Sequence, residues 1–361
     1  MKIAFVNYNQ STGQYSPEEW VRKIRPYFGV LEQLAHNHEV YYISSFGYSC
    51  ECTFQKVRCH FKASSNRLIS LTRLNSLIQK TAPELVVVYG FHFPFAVHLL
   101  SKLVGKNTKI ILQSHADKPF TGWRKYFQQY AYKSILFTFF SSEELAKPFT
   151  RNGIFSPQQI KEILPASSFL TPVARELAVE RTFINGNPAF LWVGRLDKNK
   201  DPIMVVECFL QWTEKNPLAC LYMIYQTNEL ITDLIELLTN YPNWTRNIVL
   251  VGNVPHHDLA SWYSSADFFI SGSHAASYGL ALCEAMSCGT IPIVTDIPSF
   301  RKMTGNGACG ILYEAGNKSS LLNALDGTIH LDRCKERTAT LNYFKDYISF
   351  ESIASKFEEM I

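Results

Sequence analysis

The sequence predicts an α/β protein made of two doubly wound parallel-sheet domains, and three observations carry that expectation. Short continuous runs of Val, Ile, Leu and Phe recur along the chain, which marks strands buried on both faces. Helix-like stretches separate the runs, the pattern of βαβ units. At 361 residues, 47% of them apolar, the chain exceeds one ordinary core, so two domains are expected.

In the first half the strand candidates are residues 3–7, 40–43, 85–89, 109–113 and 136–140. The second half supplies 190–193, 221–225, 248–251, 268–270 and 291–294. Between them the rhythm breaks at Pro165, Thr171-Pro172 and Asn185-Gly186-Asn187-Pro188, which are turn and linker signals. The expected domains are 1–171 and 172–345, followed by a C-terminal segment, 346–361, that packs back toward the first domain. Ile353, Phe357 and Ile361 stand at helical spacing in that last segment.

Composition excludes several classes. With 18% charged and 14% aromatic residues the chain is not a disordered one. No apolar run reaches membrane-spanning length, and the N-terminus runs directly into a strand without the apolar core and cleavage site of a signal peptide. A cytoplasmic location is expected. The nine cysteines agree with a reducing compartment, and Cys208, Cys220, Cys283 and Cys288 read as small buried hydrophobes. Cys50, Cys52 and Cys59, with His60 beside them, match no zinc spacing and lack an evident fourth ligand.

The net charge of +4 is unevenly spread: residues 1–170 hold about 20 Lys/Arg against about 10 Asp/Glu, and the rest about 15 against about 21. A basic half is either a solvated surface or a face for an anionic partner. Lys56, Arg58, Lys62, Arg67 and Arg73 concentrate that charge in one stretch.

Ligands of doubly wound sheets bind beyond the carboxyl ends of strands, so the chemistry is sought there. After the run 190–193 comes Gly194-Arg195-Leu196-Asp197-Lys198-Asn199-Lys200. Glycine at a strand end lets the backbone approach a ligand. Arg195 offers a planar fork for phosphate oxygens and Lys200 a mobile point charge, which together suit a diphosphate; the alternative is a charged surface loop. After the run 268–270 comes Ser271-Gly272-Ser273-His274-Ala275-Ala276-Ser277-Tyr278-Gly279-Leu280, then an apolar helix ending at Gly289. Glu284 is the one ionisable group on that helix. Such a carboxylate needs partners: sugar hydroxyls, or else backbone amides or a basic side chain. Free N–H groups at the helix start would face the same ligand.

These segments resemble the retaining glycosyltransferases of family four, which have the GT-B fold of two Rossmann-like domains facing an interdomain cleft. The likeness rests on Glu284-Ala285-Met286-Ser287-Cys288-Gly289 followed by Pro292-Ile293-Val294, on Gly194-Arg195 with Lys200, and on the intervening Leu250-Val251-Gly252-Asn253-Val254 and Trp262-Tyr263-Ser264-Ser265-Ala266-Asp267. It runs over most of residues 188–316 and is weaker in the first half. The resemblance implies that Arg195 and Lys200 hold the donor diphosphate and stabilise the leaving group. It implies that Glu284 bonds the ribose, that the amides near Tyr278, Gly279 and Leu280 meet the sugar or phosphate, and that the base lies near Gly252 and Val254. In the first half, His115 follows a strand candidate where the family often faces a histidine to the reacting sugar; a lone histidine can equally be structural. The resemblance implies a nucleotide-sugar substrate, no cofactor and no metal, since no Asp-x-Asp motif is present, and no nucleic-acid partner. The acceptor expected is a glycan, a lipid-linked or a small molecule, as in building cell-surface polysaccharide, and the basic stretch of the first half suggests peripheral contact with an anionic membrane.

The sequence departs from the family at three places. Leaving seven residues before Glu284, the family's first glutamate falls on Ala276. Either other groups such as His274 or Ser277 hold the donor sugar, or the position carries an engineered change, or transfer is lost. The loop after the first strand has the single glycine Gly13, and Gln226-Thr227-Asn228-Glu229 stands where a glycine-rich element is usual. The alternative is therefore an inert GT-B protein that binds nucleotide sugar. An epimerase or phosphorylase of the same fold is a third reading, and the missing Gly-x-Gly-x-x-Gly after the first strand disfavours a dehydrogenase.

Overall fold

A computed structural model of the chain describes residues 1–10, 15–63, 67–114 and 117–361. The strands of the first half are β1 (Lys2–Gln10), β2 (Glu39–Phe46), β3 (Cys50–Phe54), β4 (Val57–Ala63), β5 (Leu85–Tyr89), β6 (Lys109–Gln113), β7 (Thr138–Phe140) and β8 (Ile160–Glu162). They form one sheet in the order β3-β4-β2-β1-β5-β6-β7-β8, parallel except for the β3–β4 hairpin. β1 lies at its centre, with Ile3 opposite Val40 on one side and Leu85 on the other. The apolar run of β5 is uninterrupted because both faces are covered: Val86 and Val88 enter one apolar layer, Leu85 and Val87 the other.

The hairpin is a departure from the sequence reading, which had no strands there. Its two turn residues, Gln55 and Lys56, both have positive φ. That is the geometry of a tight two-residue turn, normally announced by Asn or Gly. Along β4, Val57, Cys59 and Phe61 point inward and Arg58 outward. Cys52 sits directly across from Cys59, and burial pushes the Cys52 thiol up to about 11 and Cys59 higher still. These are packed thiols, not poised thiolates.

The second half forms β9 (Ala189–Gly194), β10 (Cys220–Tyr225), β11 (Ile248–Gly252), β12 (Phe268–Ser271), β13 (Ile291–Thr295) and β14 (Ile311–Tyr313). The sheet is parallel throughout, in the order β11-β10-β9-β12-β13-β14. Phe190 anchors its core, 5.1 Å from both the Phe209 and Phe268 rings. Asp267, at the entry to β12, is 3% exposed. It accepts from Arg175 at 2.7 Å, from Arg333 at 3.1 Å and from the Ala189 N–H at 2.9 Å.

The chain divides into two compact units, Met1–Ser167 with Phe350–Ile361, and Ser168–Ser349. The first break is a few residues earlier than the 171/172 division read from the turn signals. Ser168 and Thr171 already bond the second unit's helix Leu280–Ser287 and the residue after it: the Ser287 hydroxyl donates to Ser168 Oγ at 2.9 Å, and the Cys288 thiol reaches the Thr171 carbonyl at 3.9 Å. The helix Phe350–Met360 belongs to the first unit, starting four residues later than the 346 boundary. Phe357 lies 5.8 Å from Phe5 and 5.6 Å from Phe139, and Ile353 and Phe357 are each 3% exposed. Burying two such side chains contributes about 1.5–3 kcal/mol apiece. Gly29 is needed beneath them, because an added Cβ would lie 2.6 Å from the Phe350 ring.

Candidate functional site

In the second sheet β9 and β12 are neighbours, and the order of strands reverses between them. Such a reversal opens a crevice at the carboxyl ends of the two strands, which is where doubly wound sheets take ligands. Both loops singled out in the sequence leave from this point.

The first loop turns on Asp197, which accepts from the Lys200 N–H with its side chain and with its carbonyl, both at 3.0 Å. Its other carboxylate oxygen lies 2.8 Å from Arg195 Nη2, so the guanidinium is aimed while staying 63% exposed. Lys200 Nζ donates to Ser273 Oγ at 3.1 Å. Burial pulls the Lys200 ammonium below the ordinary lysine range; the Asp197 carboxylate opposes this and the Arg195 charge adds to it. An incoming anion would relieve that cost. Asn199 fastens the two loops together: its side chain exchanges hydrogen bonds with Ala275 at 3.0 and 3.1 Å, and its carbonyl accepts from the His274 N–H at 2.8 Å. Gly272 permits the approach, since a Cβ there would meet Val205 at 2.9 Å and two backbone carbonyls at 3.1 Å.

Ala276, Ser277 and Tyr278 follow, all half-buried, and Gly279 caps the helix Leu280–Ser287 against Phe300, whose ring a Cβ at 279 would strike. His274 is engaged by Asp201 at 3.0 Å. Asp201 in turn caps the helix Pro202–Thr213.

Glu284 is 5% exposed and has the basic partner that sequence reasoning held open. His256 Nε2 lies 2.7 Å from Oε1, and the Tyr263 hydroxyl donates to Oε2 at 3.2 Å. The bond to Glu284 raises the His256 pKa against the opposing effect of burial. Burial, then the Glu284 charge, pushes the Tyr263 hydroxyl well up. Gly252, at positive φ, and Val254 lie on the segment that delivers His256. No local signal marks His256, Ser273 or Asn199 as site residues, because each acts through a contact across the fold.

Gly13 and His115 lie outside the described residues. Their strands still lead to a second crevice. In the first sheet the order reverses between β1 and β5, and a cavity of about 370 Å³ opens there, with Trp20, Tyr27 and Tyr89 on its walls. Asn9, His92 and Asp117 supply polar lining. The Asp117 side chain is 1% exposed, lies 3.0 Å from His92 Nε2 and accepts from the Phe91 N–H at 2.9 Å. His92 is half exposed. The pair was missed, although Asp117 stands two residues beyond His115.

Part of the chain is similar to a known family. Residues 175–345 match the family described as glycosyl transferases group 1. Among curated relatives, the D-inositol 3-phosphate glycosyltransferase of Streptosporangium roseum is 31% identical over 81 residues, 22% of this chain and 19% of that protein. The GDP-mannose:cellobiosyl-diphosphopolyprenol alpha-mannosyltransferase of Xanthomonas campestris is 27% identical over 163 residues, 44% of this chain and 42% of that protein. The matched stretches thus span less than half of those relatives. Among solved structures, the Rickettsia africae glycosyltransferase has a TM-score of 0.74 at 17% identity, covering 99% of this chain and 97% of that one. Anabaena HepE in complex with UDP has a TM-score of 0.74 at 12% identity, covering 100% and 99%. The two units have the GT-B fold.

Proposed function

We propose that this GT-B protein transfers a sugar from a nucleotide-diphosphate donor, with retention of anomeric configuration. The observation that carries the reading is the pair of cations, Arg195 and Lys200, fixed at the β9–β12 reversal beside the start of the Glu284 helix. Preorganised cations aimed at a leaving diphosphate stabilise the charge that builds there during transfer. They serve the purpose a bound magnesium serves elsewhere, so no metal enters the scheme. Glu284 receives the ribose: a carboxylate has about four lone-pair sites, and His256 and Tyr263 engage one on each oxygen. HepE, of the same fold, binds UDP, which supports a nucleotide at this place.

The acceptor belongs to the first unit, at the cavity of the β1–β5 reversal, with the His92–Asp117 pair toward the reacting hydroxyl. A lipid-linked glycan acceptor is supported by the polyprenol-linked substrate in the name of the Xanthomonas relative. Ala276 removes one usual grip on the donor sugar, and His274 is held by Asp201, so Ser277 and the amides of Tyr278, Gly279 and Leu280 take over that grip.

A thermal-shift screen with UDP-, GDP- and ADP-sugars tests the reading. A ligand that binds only the folded state must raise its stability. At least one donor is expected to raise the melting temperature and to release nucleoside diphosphate on incubation with acceptor. No shift with any of the three sinks the proposal. A shift with no turnover, restored by Ala276→Glu, would leave donor binding and remove transfer.

A further inference from the structure

Apart from Tyr48, the strongly exposed aromatic side chains described in the first unit stand on two neighbouring helices. Trp123, Tyr126 and Tyr130 stand at helical spacing on the helix Trp123–Tyr132 and are 75%, 66% and 59% exposed. The opposite side of that helix buries Gln128, Ala131 and Tyr132. The helix Pro94–Leu103 packs beside it and adds Phe95 and Leu103 to the exposed set. The His98 ring joins the two rows, 5.0 Å from Tyr130. Globular surfaces carry scattered apolar side chains without consequence, but a contiguous patch marks an interaction site.

Charge decides what the patch fits. Residues 94–142 contain seven Lys/Arg and one carboxylate, Asp117, and that carboxylate is buried against His92. Lys102, Lys118, Arg124 and Lys133, on these helices and the segments next to them in sequence, are exposed. Arg124 lies 5.8 Å from the Trp123 ring and Lys125 Nζ 5.1 Å from the Tyr126 ring. None of these cations forms an ion pair with a described residue, whereas in the basic stretch noted from sequence Arg58 is bound by Glu39 at 2.6 Å and Lys62 by Glu51 at 3.5 Å.

We propose that this face docks the protein on an anionic lipid bilayer. The Trp and Tyr rings would sit at headgroup depth, where their apolar bodies and polar edges are both satisfied. The surrounding Lys and Arg would meet lipid phosphates. Among the described residues no helix is long and apolar enough to cross a membrane, so the contact is peripheral and reversible. It stands independently of the transfer reading, and it moves the membrane contact from the β4 stretch to the two helices.

Co-sedimentation of the full chain with phosphatidylcholine vesicles, with and without about one-third phosphatidylglycerol, tests it. Binding is expected only with phosphatidylglycerol, and weaker at high salt. Arg124→Gln with Lys125→Gln should cut the partition roughly tenfold or more. Trp123→Ala with Tyr126→Ala and Tyr130→Ala should abolish it, while Arg58→Gln with Lys62→Gln leaves it unchanged. The exposed-ring variants should keep the wild-type melting temperature, which separates lost docking from lost folding. Equal binding to both vesicles, no binding, or binding that the helix variants do not touch overturns the proposal. So does self-association that the triple variant removes without any lipid binding, which would give the face to a second copy.

Discussion

Between β9 and β12 the protein presents two cations and a carboxylate, each fixed by hydrogen bonds to its neighbours. Between β1 and β5 it presents an open cavity with aromatic walls and one buried carboxylate paired with a half-exposed histidine. Both are strand-order reversals of doubly wound sheets, so topology alone makes both crevices. The lining distinguishes them. The proposed donor, a polyanion of fixed chemistry, would be met by fixed charge: Asp197 and Ser273 hold the two cations, and Asn199 fastens the loops that carry them. The proposed acceptor would be met by rings, which accept many shapes and leave orientation to a few polar groups.

The largest expected effect breaks the scaffold of one crevice and spares the other. Asp267→Ala leaves Arg175, Arg333 and the Ala189 N–H without their acceptor, at a cost of about 3 kcal/mol. Denaturant melts should show the second unit destabilised and the first unit's transition unmoved. Next, His92→Ala should lower transfer about 100-fold, in the range of a lost general acid or base, with donor affinity unchanged. Equal losses in donor affinity would place His92 in the donor's crevice and erase the division.

The smallest effect is a pH dependence. The Glu284 bond holds His256 above its ordinary value of about 6.5. A raised histidine pKa stabilises fully below the unfolded value and loses that contribution as pH rises through the folded one. The stability difference between wild type and His256→Gln should therefore be largest below about pH 6 and shrink above neutrality. With the histidine half exposed, it should not exceed about 1 kcal/mol. Melts of both proteins across that range check it, and a difference that grows with pH contradicts the assignment.

The contrast between crevices also explains what the sequence discloses. Strands such as β5 and β10 are legible because burial on both faces demands uninterrupted apolar runs. The β3–β4 hairpin is not, because Gln55 and Lys56 hold a turn that their types do not advertise. The three-residue strands β8 and β14 are too short for any period to appear. Arg195, Lys200 and Glu284 stand out in the sequence as candidates because such chemistry is tied to local spacing after a strand or along a helix. His256 meets Glu284, and His92 meets Asp117, only through tertiary contact. No pattern of neighbours along the chain encodes either pair.

The central claim is that the β9–β12 crevice binds a nucleoside diphosphate through Arg195 and Lys200. Calorimetric titration of UDP and GDP into the wild type and into Arg195→Ala with Lys200→Ala tests it most directly. The double variant should bind about 100-fold or more weakly, since charge-assisted bonds are worth about 1.5–3 kcal/mol each, with an unchanged melting temperature for the unliganded protein. Equal affinity in the two proteins would contradict it.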